Sequence, residues 1–71
     1  MSIWRFYIGD FIRIIDINNH QHTGVIICML GAEEVDEKED FISIETEDGQ
    51  IGFYAHDIKS IEYAKEIAAV V

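Results

Sequence analysis

The sequence FISIETEDGQIGFY, residues 41–54, contains the clearest fold signal in the chain. In its first half, Ile42 and Ile44 alternate with polar residues, which places both isoleucines on one face of a β-strand. Asp48-Gly49 then favours a type I′ turn, because Asp and Gly adopt positive φ at low cost. The returning segment 50–54 alternates again. Together these features predict a β-hairpin with one apolar face.

Besides a short aromatic run at the N-terminus, two more strands are predicted before this hairpin. Residues 11–17 are rich in β-branched side chains, and Ile12 and Ile14 are expected to point inward. Residues 18–24 form a predicted polar loop that ends in a glycine. Residues 25–30, VIICML, are apolar on both faces, which is typical of a central strand or of one covered by another segment or subunit.

The end of the chain permits two interpretations. Residues 55–60 resemble a single helical turn, and residues 61–63 predict a short closing strand. Residues 60–71 can also be drawn as an amphipathic helix, because apolar side chains recur on one side. The short strand followed by a tail is the preferred interpretation.

The order of these features resembles the SH3-like small barrels, including the KOW-type modules. Gly9-Asp10 opens the first strand, Gly24 starts the second, and the hairpin and short turn follow, so the resemblance covers residues 9–63. It implies an all-β, five-stranded barrel with a single 3-10 turn before the last strand. We treat residues 1–71 as one domain with its core at 9–63, an N-terminal aromatic strand at 3–8 and a C-terminal tail at 64–71.

The resemblance covers several functional classes. KOW-containing proteins bind ribosomes, RNA or transcription machinery through basic loops, and peptide-binding SH3 domains use an aromatic groove and a proline. Other barrels of this outline are accessory subunits of larger complexes. This chain has no proline and a formal net charge of −9, which separates it from the first two classes.

Acidic residues dominate the charge, with 14 Asp and Glu against 5 Lys and Arg. Binding to nucleic acid depends on clustered Lys and Arg that neutralise phosphates, so direct nucleic-acid binding is disfavoured. The single cysteine, Cys28, forms no internal disulfide, and the start of the chain carries no signal-peptide pattern. These features predict a cytoplasmic protein without a membrane span.

Few residues offer chemistry. His20 and His22 would share one face of an extended strand and form a metal site if a third ligand, such as His56 or Asp57, approached; two solvent-exposed rings are the preferred interpretation. Cys28 lies between apolar neighbours and is interpreted as a structural residue. The acidic segment lacks the spacing of a calcium loop. The expectation is a protein without catalytic residues, bound metal or cofactor.

The aromatic residues are numerous for a core of this size, and an uncovered cluster is typical of a protein contact. The predicted hydrophobic contact residues are Trp4, Phe6 and Tyr7. A second, acidic contact is predicted in the loop between segment 25–30 and the hairpin, at Glu33, Glu34, Asp36, Glu37, Glu39 and Asp40. The acidic loop favours a basic partner.

The sequence therefore predicts a non-catalytic protein-interaction module, a small accessory or regulatory subunit that binds a protein partner or forms a homodimer. The alternative is an acidic inhibitor that mimics nucleic acid and blocks a DNA- or RNA-handling enzyme, as an accessory protein of a phage or mobile element does. A KOW-like RNA or ribosome binder is a third class, which requires a contact surface unlike the overall charge.

Overall fold

The computed structural model describes residues 3–33 and 39–64. Its regular elements confirm an all-β fold of five strands with one 3-10 turn before the last strand. In chain order they are β1 (Phe11–Asp16), β2 (Gln21–Leu30), β3 (Phe41–Thr46), β4 (Gly49–Tyr54), the 3-10 turn (Ala55–Asp57) and β5 (Ile58–Tyr63).

The five strands form one antiparallel sheet in the order β4-β3-β2-β1-β5. The apolar segment 25–30 therefore lies in the central strand, which is one of the two placements that its composition predicts. β4 and β5 are the two edges of the sheet, which is not closed, so the word barrel applies only loosely. Register shifts at Ile26/Cys28 in β2 and at Ile15/Asp16 in β1 mark irregularities of the β-bulge type, which bend and twist a strand.

Every strand contributes side chains to the hydrophobic core. Register places Ile26 beside Ile44 and Ile14 beside Ile61, so buried side chains meet directly across neighbouring strands. Burying one isoleucine side chain stabilises a protein by about 1.5–3 kcal/mol. The inward orientation predicted for the isoleucines of β1 and β3 is confirmed. The buried hydrophobic residues are Ile3, Phe6, Ile12, Ile14, Ile26, Ile42, Ile44, Phe53, Ile58 and Ile61.

The β3–β4 hairpin forms where the sequence predicts it, but its turn is not type I′. Thr46 pairs with Gly49, so the two loop residues are Glu47 and Asp48, and neither has a positive φ. Gly49 has φ +118°. The Thr46 hydroxyl donates to the Gly49 carbonyl at 2.9 Å and accepts from the Asp48 backbone N–H at 3.1 Å. This side-chain contact places the turn one residue earlier than the Asp-Gly pair suggests.

The predicted polar loop at residues 18–24 is shorter than expected, because β2 begins at Gln21 and includes His22. Gly24 lies within the strand. A Cβ atom at Gly24 would lie 2.2 Å from the Glu45 carbonyl oxygen, so only glycine permits the close approach of β2 to β3 at this position. The glycine marks tight strand pairing and not the start of the strand.

The predicted N-terminal aromatic strand at 3–8 is wrong, because residues 3–10 contain turns and no strand. The Phe6 N–H donates to the Ile3 carbonyl at 3.2 Å, and the Asp10 N–H donates to the Tyr7 carbonyl at 3.0 Å. Gly9 has φ +100°, a conformation that favours glycine. These local hydrogen bonds turn the chain back on itself, and Ile3 and Phe6 enter the core.

Ile14 and Ile17 form a matched pair for a test of this core. Ile14 is fully buried in β1, whereas Ile17 is 56% exposed just after the strand. We expect Ile14→Val to lower the free energy of unfolding by about 1 kcal/mol, because it removes one buried methylene. Ile17→Val is expected to change it by less than about 0.5 kcal/mol. Urea denaturation measures both, and equal losses would contradict the assigned core.

Candidate functional site

The structure separates the three predicted hydrophobic contact residues. Phe6 is buried in the core, so its prediction as a partner-binding residue is wrong: the turn at residues 3–6 points it inward with Ile3. Trp4 is 48% exposed and Tyr7 is 71% exposed. The neighbouring Ile8 is also exposed. We call Trp4, Tyr7 and Ile8 the N-terminal apolar surface.

Trp4 is held against the base of the acidic loop. Its indole Nε1 donates to Asp40 Oδ2 at 2.7 Å, and Asp40 Oδ1 accepts from the Ala32 N–H at 3.1 Å. The Asp40 carbonyl also accepts from the Ala55 N–H, the first residue of the 3-10 turn, at 3.0 Å. A shallow groove of about 430 Å³ is lined in part by Trp4, Ala32 and Asp40. The Asp40 carboxylate thus fixes the exposed Trp4 indole and the backbone of Ala32, on the other side of the acidic loop. The Asp40 carbonyl connects the same residue to the 3-10 turn.

The turn that presents Tyr7 is fixed in a similar way. The Tyr7 N–H donates to Asp10 Oδ2 at 2.9 Å. The Gly9 N–H donates to the Ile26 carbonyl at 2.8 Å, and the Ile26 N–H donates to the Asp10 carbonyl at 3.0 Å. The segment is therefore attached to the central strand by backbone hydrogen bonds, while the side chain of Tyr7 remains in solvent.

Tyr63, at the end of β5, adds an exposed ring that the sequence did not indicate as a contact residue. Its ring centroid lies 4.8 Å from that of Phe6, and its hydroxyl donates to the Arg5 carbonyl at 3.3 Å. The Arg5 guanidinium lies 4.4 Å from the centre of the Phe6 ring and donates to the Ile61 carbonyl at 2.8 Å. Desolvation, with the negative charge of Asp10, raises the pKa of Tyr63. Only the fold brings this ring to the N-terminal segment.

The acidic loop residues have different surroundings. Glu34, Asp36 and Glu37 lie outside the described residues, and Glu33 is exposed. Glu39 and Asp40 are engaged within the fold, with His56 and with Trp4 respectively. Two of the six predicted acidic contact residues therefore have a structural role, which position in the sequence alone does not indicate.

His56 connects the loop to the 3-10 turn through Glu39. Its backbone N–H donates to Glu39 Oε1 at 2.5 Å, its ring Nδ1 contacts Glu39 Oε2, and its Nε2 lies 3.2 Å from Asp57 Oδ1. Both ring nitrogens thus face a carboxylate, and only the protonated ring donates to both. The hydrogen bond that the ring donates to Glu39 is the main cause of the raised pKa of His56; desolvation opposes it, and the charges of Asp57 and Glu39 each add a smaller increase.

The two predicted loop histidines gather around Asp16, a residue without an assigned role in the sequence. Asp16 Oδ1 accepts from the backbone N–H groups of Asn18 and His20 at 2.9 Å, and Oδ2 lies 2.8 Å from His22 Nε2. The His22 side chain contributes most to the lowered pKa of Asp16, followed by the His20 backbone. The Asp16–Asn19 turn, with Asn19 at φ +67°, is typical of an Asp side chain that caps its own turn.

The contacts of Asp16 account for the turn between β1 and β2 and for the position of His22, without a bound metal ion. His22 Nε2 already faces Asp16, and its ring lies 5.1 Å from that of Phe53. Among residues 3–33 and 39–64, no group of three or more His, Cys, Asp and Glu side chains is placed to hold a metal ion. Cys28 is half-buried and lies opposite Ser43 in the β2–β3 pairing.

Comparisons with protein-family models, with curated proteins and with solved structures give no match. Within the part of the chain that the structure describes, no helix has the length and apolar character to cross a membrane.

The His56–Glu39 pair predicts a pH dependence of stability. Because the folded-state pKa of His56 lies above its ordinary value of 6.5, the stabilisation is complete below pH 6.5 and is lost as pH rises through the folded-state pKa. We expect the difference in Tm between wild type and His56→Gln to shrink as pH rises from about 5.5 to about 8.5, the range in which histidine titrates.

Glu39→Gln is the companion variant, since it removes the carboxylate that holds the proton on His56. Thermal unfolding followed by circular dichroism measures all three proteins. If the Tm of wild type and the Tm of Glu39→Gln changed in the same way with pH, the His56–Glu39 pair would not form in solution.

Proposed function

We propose that this domain is a non-catalytic protein-interaction module, a small accessory or regulatory subunit that binds a partner through its N-terminal apolar surface. One observation carries the proposal: Trp4 and Tyr7 are exposed although the backbone around them is fixed by hydrogen bonds. The SH3-like outline and a cytoplasmic location, both inferred from the sequence, belong to the same proposal.

Fixed aromatic residues suit a contact surface. Trp and Tyr are enriched among the residues that contribute most to protein–protein binding. Association normally loses the rotational freedom of each side chain that becomes ordered, at a cost of about 0.5–1.5 kcal/mol per side chain. Trp4 is already oriented by Asp40 in the unbound domain, so less of this cost remains on binding.

Charge supports a basic partner. The net charge is −9, and Glu33 is exposed beside the groove that Trp4 lines. An acidic rim around an apolar contact accelerates association with a basic protein and disfavours acidic ones. In this arrangement the apolar residues supply most of the affinity, and the carboxylates supply rate and selectivity.

The nucleic-acid mimic is the competing proposal. It assigns the affinity to the acidic loop, so that binding depends chiefly on carboxylates and falls steeply with salt. The engagement of Glu39 with His56 and of Asp40 with Trp4 favours the interaction module, because these two carboxylates already have partners within the fold. A homodimer through the N-terminal apolar surface is a further form of the same proposal.

Affinity capture from a lysate of the source cells, at low and at high salt, tests the proposal when variants are compared. We expect wild type to retain a partner at high salt. Tyr7→Ala and Trp4→Ala are expected to bind this partner about tenfold more weakly or worse, because hot-spot truncations cost about 2 kcal/mol or more. Ile17→Ala removes an exposed apolar side chain elsewhere and serves as the matched control.

Two results would contradict the proposal. One is a partner lost at high salt and released by neutralising Glu33, Glu34, Asp36 and Glu37 but not by Tyr7→Ala, which would favour the mimic. The other is equal binding by Tyr7→Ala, Trp4→Ala and Ile17→Ala. Sedimentation of wild type and Tyr7→Ala separates self-association from binding to a different protein.

A further inference from the structure

A second surface lies at the other end of the β2–β3 pair. Register aligns Phe11, Val25 and Glu45 across three neighbouring strands, since Phe11 pairs with Val25 and Val25 pairs with Glu45. These residues line an open groove of about 550 Å³ that extends to His22 and to the β3–β4 turn. The acidic loop leaves β2 at Leu30 and enters β3 at Phe41, so the groove is at the opposite end from Trp4 and Asp40.

The groove combines apolar and acidic parts. Val25 is 37% exposed although it belongs to the central strand, and Phe11 beside it is half-buried. Glu45, Glu47 and Asp48 supply three carboxylates to the same groove. A cation with an apolar stem matches this combination, because its charge meets the carboxylates while its stem covers the apolar side chains.

These three carboxylates differ from the other acidic residues that the structure describes. Within residues 3–33 and 39–64, none of the three side chains forms an ion pair or a side-chain hydrogen bond. Apart from Glu33, every other described acidic side chain has a hydrogen-bond or ion-pair partner in the fold. These engaged residues are Asp10, Asp16, Glu39, Asp40, Asp57 and Glu62.

The described Arg and Lys side chains are engaged with other partners, including Arg13, which lies opposite the groove residue Thr23. Arg13 forms an ion pair with Glu62 at 2.9 Å, Arg5 donates to the Ile61 carbonyl, and Lys59 donates to Asn19. The three groove carboxylates therefore have no counter-ion among the described residues. A positive charge on a partner would complement these carboxylates.

We infer that this groove docks an extended basic segment of a partner protein, with an arginine or lysine at Glu45, Glu47 and Asp48 and an apolar stretch over Phe11 and Val25. The inference does not depend on the N-terminal apolar surface. An anionic ligand meets three carboxylates, and the same groove of a second copy would present the same three carboxylates, so neither is complementary to this groove. The groove is partly open to solvent, which suits a segment of a partner chain more than a fully enclosed small molecule.

A titration of the ¹⁵N-labelled protein with a synthetic peptide of alternating Arg and Val tests the inference, at a salt concentration of about 0.15 M. We expect the amide shifts of Phe11, Val25 and residues 45–48 to move. The triple variant Glu45→Gln, Glu47→Gln, Asp48→Asn is expected to raise the Kd about tenfold or more.

Net charge requires a matched control. Glu33→Gln with Glu34→Gln and Glu37→Gln removes the same number of charges from the acidic loop and is expected to raise the Kd by less than about threefold. Val25→Thr keeps the side-chain shape and the net charge, and a higher Kd for this variant is expected because it makes the apolar wall polar. Thermal unfolding confirms that each variant is folded.

Several results would overturn the inference. Equal weakening by the two triple variants would show attraction to overall charge. Shifts confined to residues 4–8 would assign the peptide to the N-terminal apolar surface, and no binding at this salt concentration would remove the site. Spermine that competes at the same concentration as the peptide would identify a small polyamine in place of an extended chain.

Discussion

The fold depends on burial of isoleucine on one face of a single sheet. Ile12 and Ile14 from β1, Ile26 from β2, and Ile42 and Ile44 from β3 are all fully buried. A chain of 71 residues with one cysteine has neither a disulfide nor, among its described residues, a metal cluster to supplement this packing. The stability of the domain therefore depends on the packing of these few side chains.

Core packing also determines what the N-terminal segment displays. Ile3 and Phe6 enter the core three residues apart, with a backbone hydrogen bond between them, so the turn directs Trp4 and Tyr7 outward. A strand at residues 3–8 would have alternated sides and placed Trp4 and Phe6 on the same face. The N-terminal segment thus contributes both to stability and to the proposed contact surface. Burial of Ile3 and Phe6 in the core fixes the outward positions of Trp4 and Tyr7.

The sequence predicted the elements whose pattern is local. Alternation in residues 41–47 and 11–17 identified strands and their buried sides, and the apolar run 25–30 identified the central strand. The errors occurred where contacts between distant segments, or one specific side-chain hydrogen bond in a turn, decide the structure. The attachment of Gly9 to Ile26 and of Trp4 to Asp40 is absent from any local pattern, and Thr46 shifted a turn that Asp48-Gly49 alone would place differently.

The acidic residues show most clearly that a local sequence pattern does not reveal which side chains have partners in the fold. The sequence contains 14 acidic residues and gives no means of ranking them, so the densest run, residues 33–40, was the natural candidate for a contact. The fold divides them by their partners: Asp16, Glu39 and Asp40 hold turns and loops together, whereas Glu45, Glu47 and Asp48 share one groove without a described counter-ion. A carboxylate that already accepts hydrogen bonds has less to gain from a partner than one that is only solvated. In a chain of this charge, the unengaged carboxylates around an apolar groove are therefore more informative about binding than the densest acidic run.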